Sequence, residues 1–217
     1  MPLLSLRLPG RASTDRKGAT RRALLEAALN VFGEKGYHGA AVDDIVDRAG
    51  RSKGAAYFHF PSKAAIFRAL VRELANQLVN SIQRKMDDVD SPAERLDAAL
   101  LGLIDVFVRH RSLARIVLIE VAGAGRAFSD DLIFVRRQFA DLIERELDRA
   151  VETGAIAPCD THLIATAWFG ALNEVAVHWL HDPDAGSLHA SYPSLRQLLL
   201  QSVGFSPAEV DRVPLHA

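Results

Sequence analysis

The chain has 217 residues, 49% of them hydrophobic and 24% charged, with a net charge of −1. That length allows one large domain or two small ones, and the balance excludes a disordered or fibrous chain. A single cysteine, Cys159, excludes an internal disulfide and fits a reducing compartment, so a cytoplasmic protein is expected.

Charge is unevenly spread. Residues 1–63 hold eleven Lys or Arg against six Asp or Glu, and the remaining 154 hold fifteen against twenty-one. A positive N-terminal part suits an anionic partner. The first ten residues do not read as a signal peptide, because the apolar run is short and broken by Arg7 and Pro9. The most apolar long window, Leu163 to Leu180, carries Asn173, Glu174 and His178 and reads as a helix buried between other helices rather than a membrane span.

Residues 1–16 mix Pro, Gly, Arg and Ser without periodicity and read as a flexible basic arm. Helical periodicity starts near Thr20, with Leu25, Ala28, Leu29 and Phe32 on one face and Gly36 as the stop. A short helix follows from about Ala41 to Ala49, its apolar face formed by Val42, Ile45 and Val46, and Gly50 ends it. Ser52 caps a third, shorter helix that reaches Tyr57. Two short helices joined through a glycine have the spacing of a helix-turn-helix.

After Pro61 and Ser62 a long helix is predicted from Lys63 to about Met86. Ser91-Pro92-Ala93-Glu94 has the form of a capping box and opens a helix to about His110. Another spans about Leu113 to Ala122, before the Gly123-Ala124-Gly125 break. Ser129 with Asp130 and Asp131 opens the next, which ends at Gly154. Asp160 caps the apolar helix that Asp182-Pro183 stops near His181. The last long helix runs from Tyr192 to Val203, and Ser206 to Glu209 form a second capping box. No strand alternation appears, so the fold is expected to be all-α with about nine helices.

The segment from Gly36 to Lys63, with Gly36-Tyr37, Val42, Ile45, Ala49-Gly50, Ser52-Lys53-Gly54, Tyr57, Phe60 and Lys63 at fixed spacing, resembles the DNA-binding signature of the TetR/AcrR family. The resemblance covers about Thr20 to Leu70. It implies a three-helix helix-turn-helix domain, assigned to residues 17–65, and a larger helical ligand-binding and dimerisation domain, residues 66–217. It further implies a regulator of transcription, a repressor by family default, that binds a palindromic operator on double-stranded DNA as a homodimer and is released by a small apolar effector.

The physics of the helix-turn-helix agrees. Its second helix enters the major groove with its N-terminal residues nearest the bases. That helix is Ser52 to Tyr57. Gly54 and Ala55 admit close approach of the backbone to DNA, Arg51 and Lys53 reach phosphates or a guanine edge, and Tyr57 and His59 can donate to phosphate oxygens. Lys63 lies at a helix start where an anion is favoured. Lys17, Arg21 and Arg22 can hold the flanking backbone. Phe32, Tyr37 and Phe60 read as core. His59 fits a phosphate donor and a packed histidine equally. Ala40 and Ala41 stand where the family usually has Thr or Ser, which should weaken the cap of the second helix by about 1 kcal/mol.

In the larger domain, Phe107, Ile116, Ile119, Phe134, Phe139, Trp168 and Leu172 are candidates to line an apolar pocket, with Glu120, Asn173 and His178 supplying polarity. Leu163, Ala167, Gly170, Ala171, Val177, Leu195, Leu198 and Leu199 are candidate dimer-interface positions. Core packing explains the apolar members of both sets as well.

Three other readings are open to the sequence. A metal- or thiol-sensing regulator would use Cys159 with His162, although a lone cysteine more often packs as a small hydrophobe. An enzyme is disfavoured, because the chain has no Gly-rich phosphate loop, His-Glu-x-x-His or Gly-x-Ser-x-Gly motif. A nucleic-acid protein without sequence preference would bind with a steep salt dependence alone. No cofactor and no metal are expected.

Overall fold

The computed structural model describes residues 16–120, 128–182 and 186–212. Ten α-helices are present among them, with no strand: α1 (Arg16–Gly39), α2 (Val42–Ala49), α3 (Lys53–His59), α4 (Lys63–Asp87), α5 (Pro92–Arg109), α6 (Arg111–Arg115), α7 (Ser129–Glu152), α8 (Thr161–His181), α9 (Tyr192–Ser202) and α10 (Pro207–Arg212). A π-helical turn, Ile116–Glu120, continues α6, and a 3-10 turn, Leu188–Ser191, precedes α9. Residues 1–15 of the basic arm and the Gly123-Ala124-Gly125 break lie outside the described residues, and so does Pro183, while Arg16, the last residue given to the arm, is the first of α1.

The chain divides into two units, residues 1–75 with 112–133 and residues 76–111 with 134–217. In the first, α1 leaves the helical path at Gly36, whose φ of 71° is open to glycine and strained for other residues. Leu24, Leu25, Ala28 and Phe32 of α1 are buried. α2 ends on Gly50 at φ 60°, which turns the chain so that the N–H groups of Gly50 and Arg51 donate back to Asp47 and Val46. Although Ala41 has no hydroxyl to cap α2, the Asp44 carboxylate accepts the Ala41 N–H at 3.0 Å, restoring half of a capping box. Ser52 Oγ accepts the Ala55 N–H at 3.2 Å and starts α3, and Ser62 Oγ accepts from Ala65 to start α4.

An aromatic cluster forms the rest of this core. Phe67 meets Phe32 edge-on at 5.3 Å, and Tyr37 lies 5.0 Å from Phe67 and 5.1 Å from Phe128. Next to Phe128, Asp131 accepts from Arg68 and Arg72, each at 3.0 Å. Residues just before and at the start of α7 are therefore integral to the unit that carries the helix-turn-helix.

In the second unit α4 and α5 approach closely, because a Cβ on Gly102 would stand 2.8 Å from Ile82 Cγ1. Leu96, Leu103, Ile104, Leu142, Leu147 and Leu200 are fully or nearly fully buried. Two charged clusters are buried with them. Arg95 forms a two-pronged pair with Glu146 at 2.6 and 2.9 Å and also donates to the Met86 and Val89 carbonyls. Tyr192 donates to Asp97 at 2.6 Å, and Arg196 Nε lies 3.0 Å from the same carboxylate. Burial, with the Asp97 charge beside it, pushes the Tyr192 phenol well above its ordinary range.

Several local expectations change. α1 begins at Arg16, four residues before Thr20, and α6 begins at Arg111. Ser91 occupies the N-cap of α5 without accepting a side-chain bond. Pro92, which has no N–H and a helical φ, starts that helix without it. The second box forms as expected, with Ser206 and Glu209 bonding reciprocally.

Candidate nucleic-acid interface

α1 and α2 hold α3 with one face inward and one face bare. Ala56 and Phe60 are buried against the core of the first unit. Lys53, Gly54, Tyr57 and Phe58 recur at positions i, i+1, i+4 and i+5 and are all exposed, so they form one contiguous face of the helix. Tyr57 is 46% exposed and Phe58 is 72% exposed. At Gly54 nothing lies within 4 Å of where a Cβ would be, so this face is bare to its backbone.

Several cations of this unit are held by carboxylates. Lys53 Nζ lies 2.8 Å from Asp43, which pushes the Lys53 pKa up through their hydrogen bond. Arg48 pairs with Glu34 at 2.5 Å and Lys35 with Asp44 at 2.6 Å, and these bonds hold both carboxyls below their usual range. Solvent-exposed pairs of this kind are weak, so a phosphate can replace the carboxylate at little cost. The Arg51 guanidinium is exposed, 3.5 Å from the Gly50 carbonyl, too long for a strong bond. Lys17 Nζ stands 5.3 Å from the Phe58 ring centre, and the Arg21 guanidinium stands 5.6 Å from that of Phe60. Arg22 is half-buried on α1, and His59 is half-buried between the rings of Phe58 and Phe60.

Lys63 departs from expectation. Its ammonium donates to the carbonyls of Tyr37 at 2.8 Å, Ala40 at 2.8 Å and His38 at 3.3 Å, and lies 4.7 Å over the Tyr37 ring. An ammonium has three donors, and all three are engaged in tying the end of α1 to the start of α4. Sequence reasoning also passed over Phe58. The available signal was phase: an aromatic residue two positions from both Ala56 and Phe60 cannot share their inward face.

The expected pocket residues separate between the two units. Ile116 is buried and Ile119 half-buried in the first, and the Glu120 side chain lies outside the described residues. In the second unit Phe107, Phe139, Trp168 and Leu172 are buried, Phe134 is half-buried, and Phe139 stacks on Phe169 with ring centres 6.0 Å apart. Asn173 is half-buried with its carbonyl oxygen buried and without a hydrogen-bond partner. His178, whose side chain is 88% exposed, does not point into that interior; it lies 3.9 Å from Glu174, one turn earlier. The two line an open cleft of about 460 Å³ with Trp179, Asp182, Ser187 and Ser191.

Of the candidate interface positions, Leu163, Ala167 and Gly170 are exposed along α8, with Ala171 and Val177 half-buried beside them. Leu198 of α9 is exposed, whereas Leu195 and Leu199, either side of it on the helix, are buried in the core of their own unit. Cys159 is exposed between α7 and α8, and His162 is engaged with Glu144 at 3.0 Å. No three His, Cys, Asp or Glu side chains gather to hold a metal among the described residues. No described helix is long and apolar enough to cross a membrane.

Comparison with known proteins gives concordant matches. Residues 24–70 match the family model for bacterial regulatory proteins of the tetR family, and residues 89–186 match the tetracyclin repressor-like C-terminal domain. The transcriptional activator FasR of Mycolicibacterium smegmatis is 38% identical over 92 residues, a match spanning 42% of this chain and 42% of FasR. The fatty acid degradation regulator FadR from Bacillus halodurans superposes with a TM-score of 0.77 at 25% identity, over 88% of this chain and all of that one. The regulator FadR from Bacillus subtilis, solved in complex with stearoyl-CoA, superposes with a TM-score of 0.74 at 21% identity, over 84% of this chain and 97% of that one.

Proposed function

The chain belongs to the TetR family of DNA-binding transcriptional regulators, and from that premise we propose that it is a dimeric repressor of a palindromic operator, released by an acyl-chain effector. The observation that carries the DNA reading is the bare face of α3, where Lys53, Gly54 and Tyr57 stand together behind the Ser52 cap. Lys17, Arg21, Arg22 and Arg51 serve the flanking phosphates, and Ala55 and His59 lie at the margin of the contact. Two copies of α3 read a palindrome when they stand one helical turn of DNA apart, roughly 34–36 Å. The exposed apolar strip of Leu163, Ala167 and Gly170 with Leu198 supports pairing of two chains through α8 and α9.

The effector is assigned to the second unit. Its aromatic interior, with Phe139 on Phe169 beside Trp168 and Leu172, suits an acyl chain, and the Asn173 carbonyl oxygen can accept from an amide N–H of the arm that carries that chain. The stearoyl-CoA complex of the B. subtilis relative points to a long-chain acyl thioester. An effector that binds better to a dimer of another spacing draws the population away from DNA. The protein acts where the chromosome is, in the cytoplasm.

The test is binding of the purified full chain to DNA selected from a random pool, against scrambled DNA, in moderate salt. Protection of a palindrome, lost in Tyr57→Ala and Lys53→Ala and released by palmitoyl- or stearoyl-CoA but not by free coenzyme A, is the expected result. Equal affinity for selected and scrambled DNA refutes the operator reading. Indifference to every acyl chain length refutes the effector.

A further inference from the structure

We infer that Phe58 is a base-reading residue that recognises the 5-methyl group of a thymine in each operator half-site; the inference rests on the DNA reading above. Among the large apolar side chains left exposed in the described residues, Phe58 is the barest, at 72%. Its position is not a failure of packing, because the inward face of α3 is already filled by Ala56 and Phe60. Phe58 stands one turn beyond Gly54 on the exposed face, beside Tyr57.

The chemistry narrows the partner. A phenyl ring has no donor for a phosphate oxygen and no acceptor for a base amine. What it offers is apolar area, and the apolar feature of the major-groove edge is the thymine methyl. Gly54 leaves an open notch next to the ring, with nothing within 4 Å of a would-be Cβ, where a methyl group can enter against the backbone. Lys17 holds its ammonium over one face of the ring, 5.3 Å from its centre, so a phosphate-seeking cation stands against the residue that reads the base. The surrounding charge is complementary to DNA, residues 1–63 being positive on balance while the rest of the chain is negative.

The experiment uses the full chain and the duplex it selects from random DNA, remade with each thymine singly replaced by deoxyuridine, which lacks only the methyl. The expected result is a loss of about fourfold in affinity per half-site at one thymine, the worth of one buried methyl-sized group. Phe58→Ala should bind the thymine and uracil duplexes equally, while Phe58→Tyr keeps the discrimination. Circular dichroism should show Phe58→Ala folded, since the ring supports no core contact. Indifference of the wild type to every replacement overturns the inference, as does an undiminished methyl effect in Phe58→Ala. A Phe58→Ala variant that weakens all duplexes alike places the ring on the sugar-phosphate backbone and also overturns it. If the wild type selects no sequence, the regulator reading fails first and this inference falls with it.

Discussion

Replacing Lys63 with methionine separates a structural lysine from a DNA-contacting one. The substitution keeps the length of the stem and removes all three donors to Tyr37, His38 and Ala40. A hydrogen bond from a charged group contributes about 1.5–3 kcal/mol. The 3.3 Å bond adds little, and the two at 2.8 Å are half-buried and belong at the low end of that range. The expected cost of Lys63→Met is about 3 kcal/mol, twice the low-end value. For a chain of this length that lowers the melting temperature by about 6–12 °C. Thermal and urea unfolding at fixed protein concentration measure it, since a dimer's apparent stability depends on concentration. Operator binding at a temperature where the variant is folded should keep the wild-type salt slope. Lys53→Met should do the reverse, leaving the melt unchanged and reducing the slope of log affinity against log salt by about one. A Lys63→Met protein that melts like the wild type and loses one unit of slope would refute the structural assignment.

Ser52→Ala removes the bond that starts α3 and should lower stability by about 1 kcal/mol, with weaker operator binding in a gel-shift titration and an unchanged salt slope. Arg95→Ala leaves Glu146 buried without its partner and should cost about 3–5 kcal/mol in urea, whereas the double replacement Arg95→Met with Glu146→Leu should recover most of that loss. Failure of the double variant to recover would mean that the carbonyl bonds to Met86 and Val89 outweigh the ion pair. His110 is held below its ordinary pKa, first by burial and then by Arg109, so the unfolded chain takes up a proton that the folded chain resists. Its contribution to stability should be full above pH about 6.5 and disappear as pH falls through the lower, folded-state pKa. His110→Gln should flatten that part of the stability profile.

The helices were legible because their signals are local. Gly36, Gly50, Ser52 and Asp160 act on backbone within a turn of themselves, and each is found where its chemistry requires. Ser91 shows the limit of such rules, since a capping pattern states what a side chain can do and Pro92 made it unnecessary. The compensation at Ala41 by Asp44 is likewise a choice between two local options that composition does not rank.

The helix-turn-helix was legible in the short-range spacing between Gly36 and Lys63, the family in the resemblance that segment carries, and the all-α class in helical periodicity along the whole chain. Side-chain direction was not. Lys63 turns to three carbonyls some 25 residues earlier in the chain, His178 turns outward while Asn173 keeps a buried oxygen, and Leu195 and Leu199 face their own core while Leu198 does not. Helical periodicity says which residues share a face, and only packing against distant segments decides whether that face meets the core or solvent.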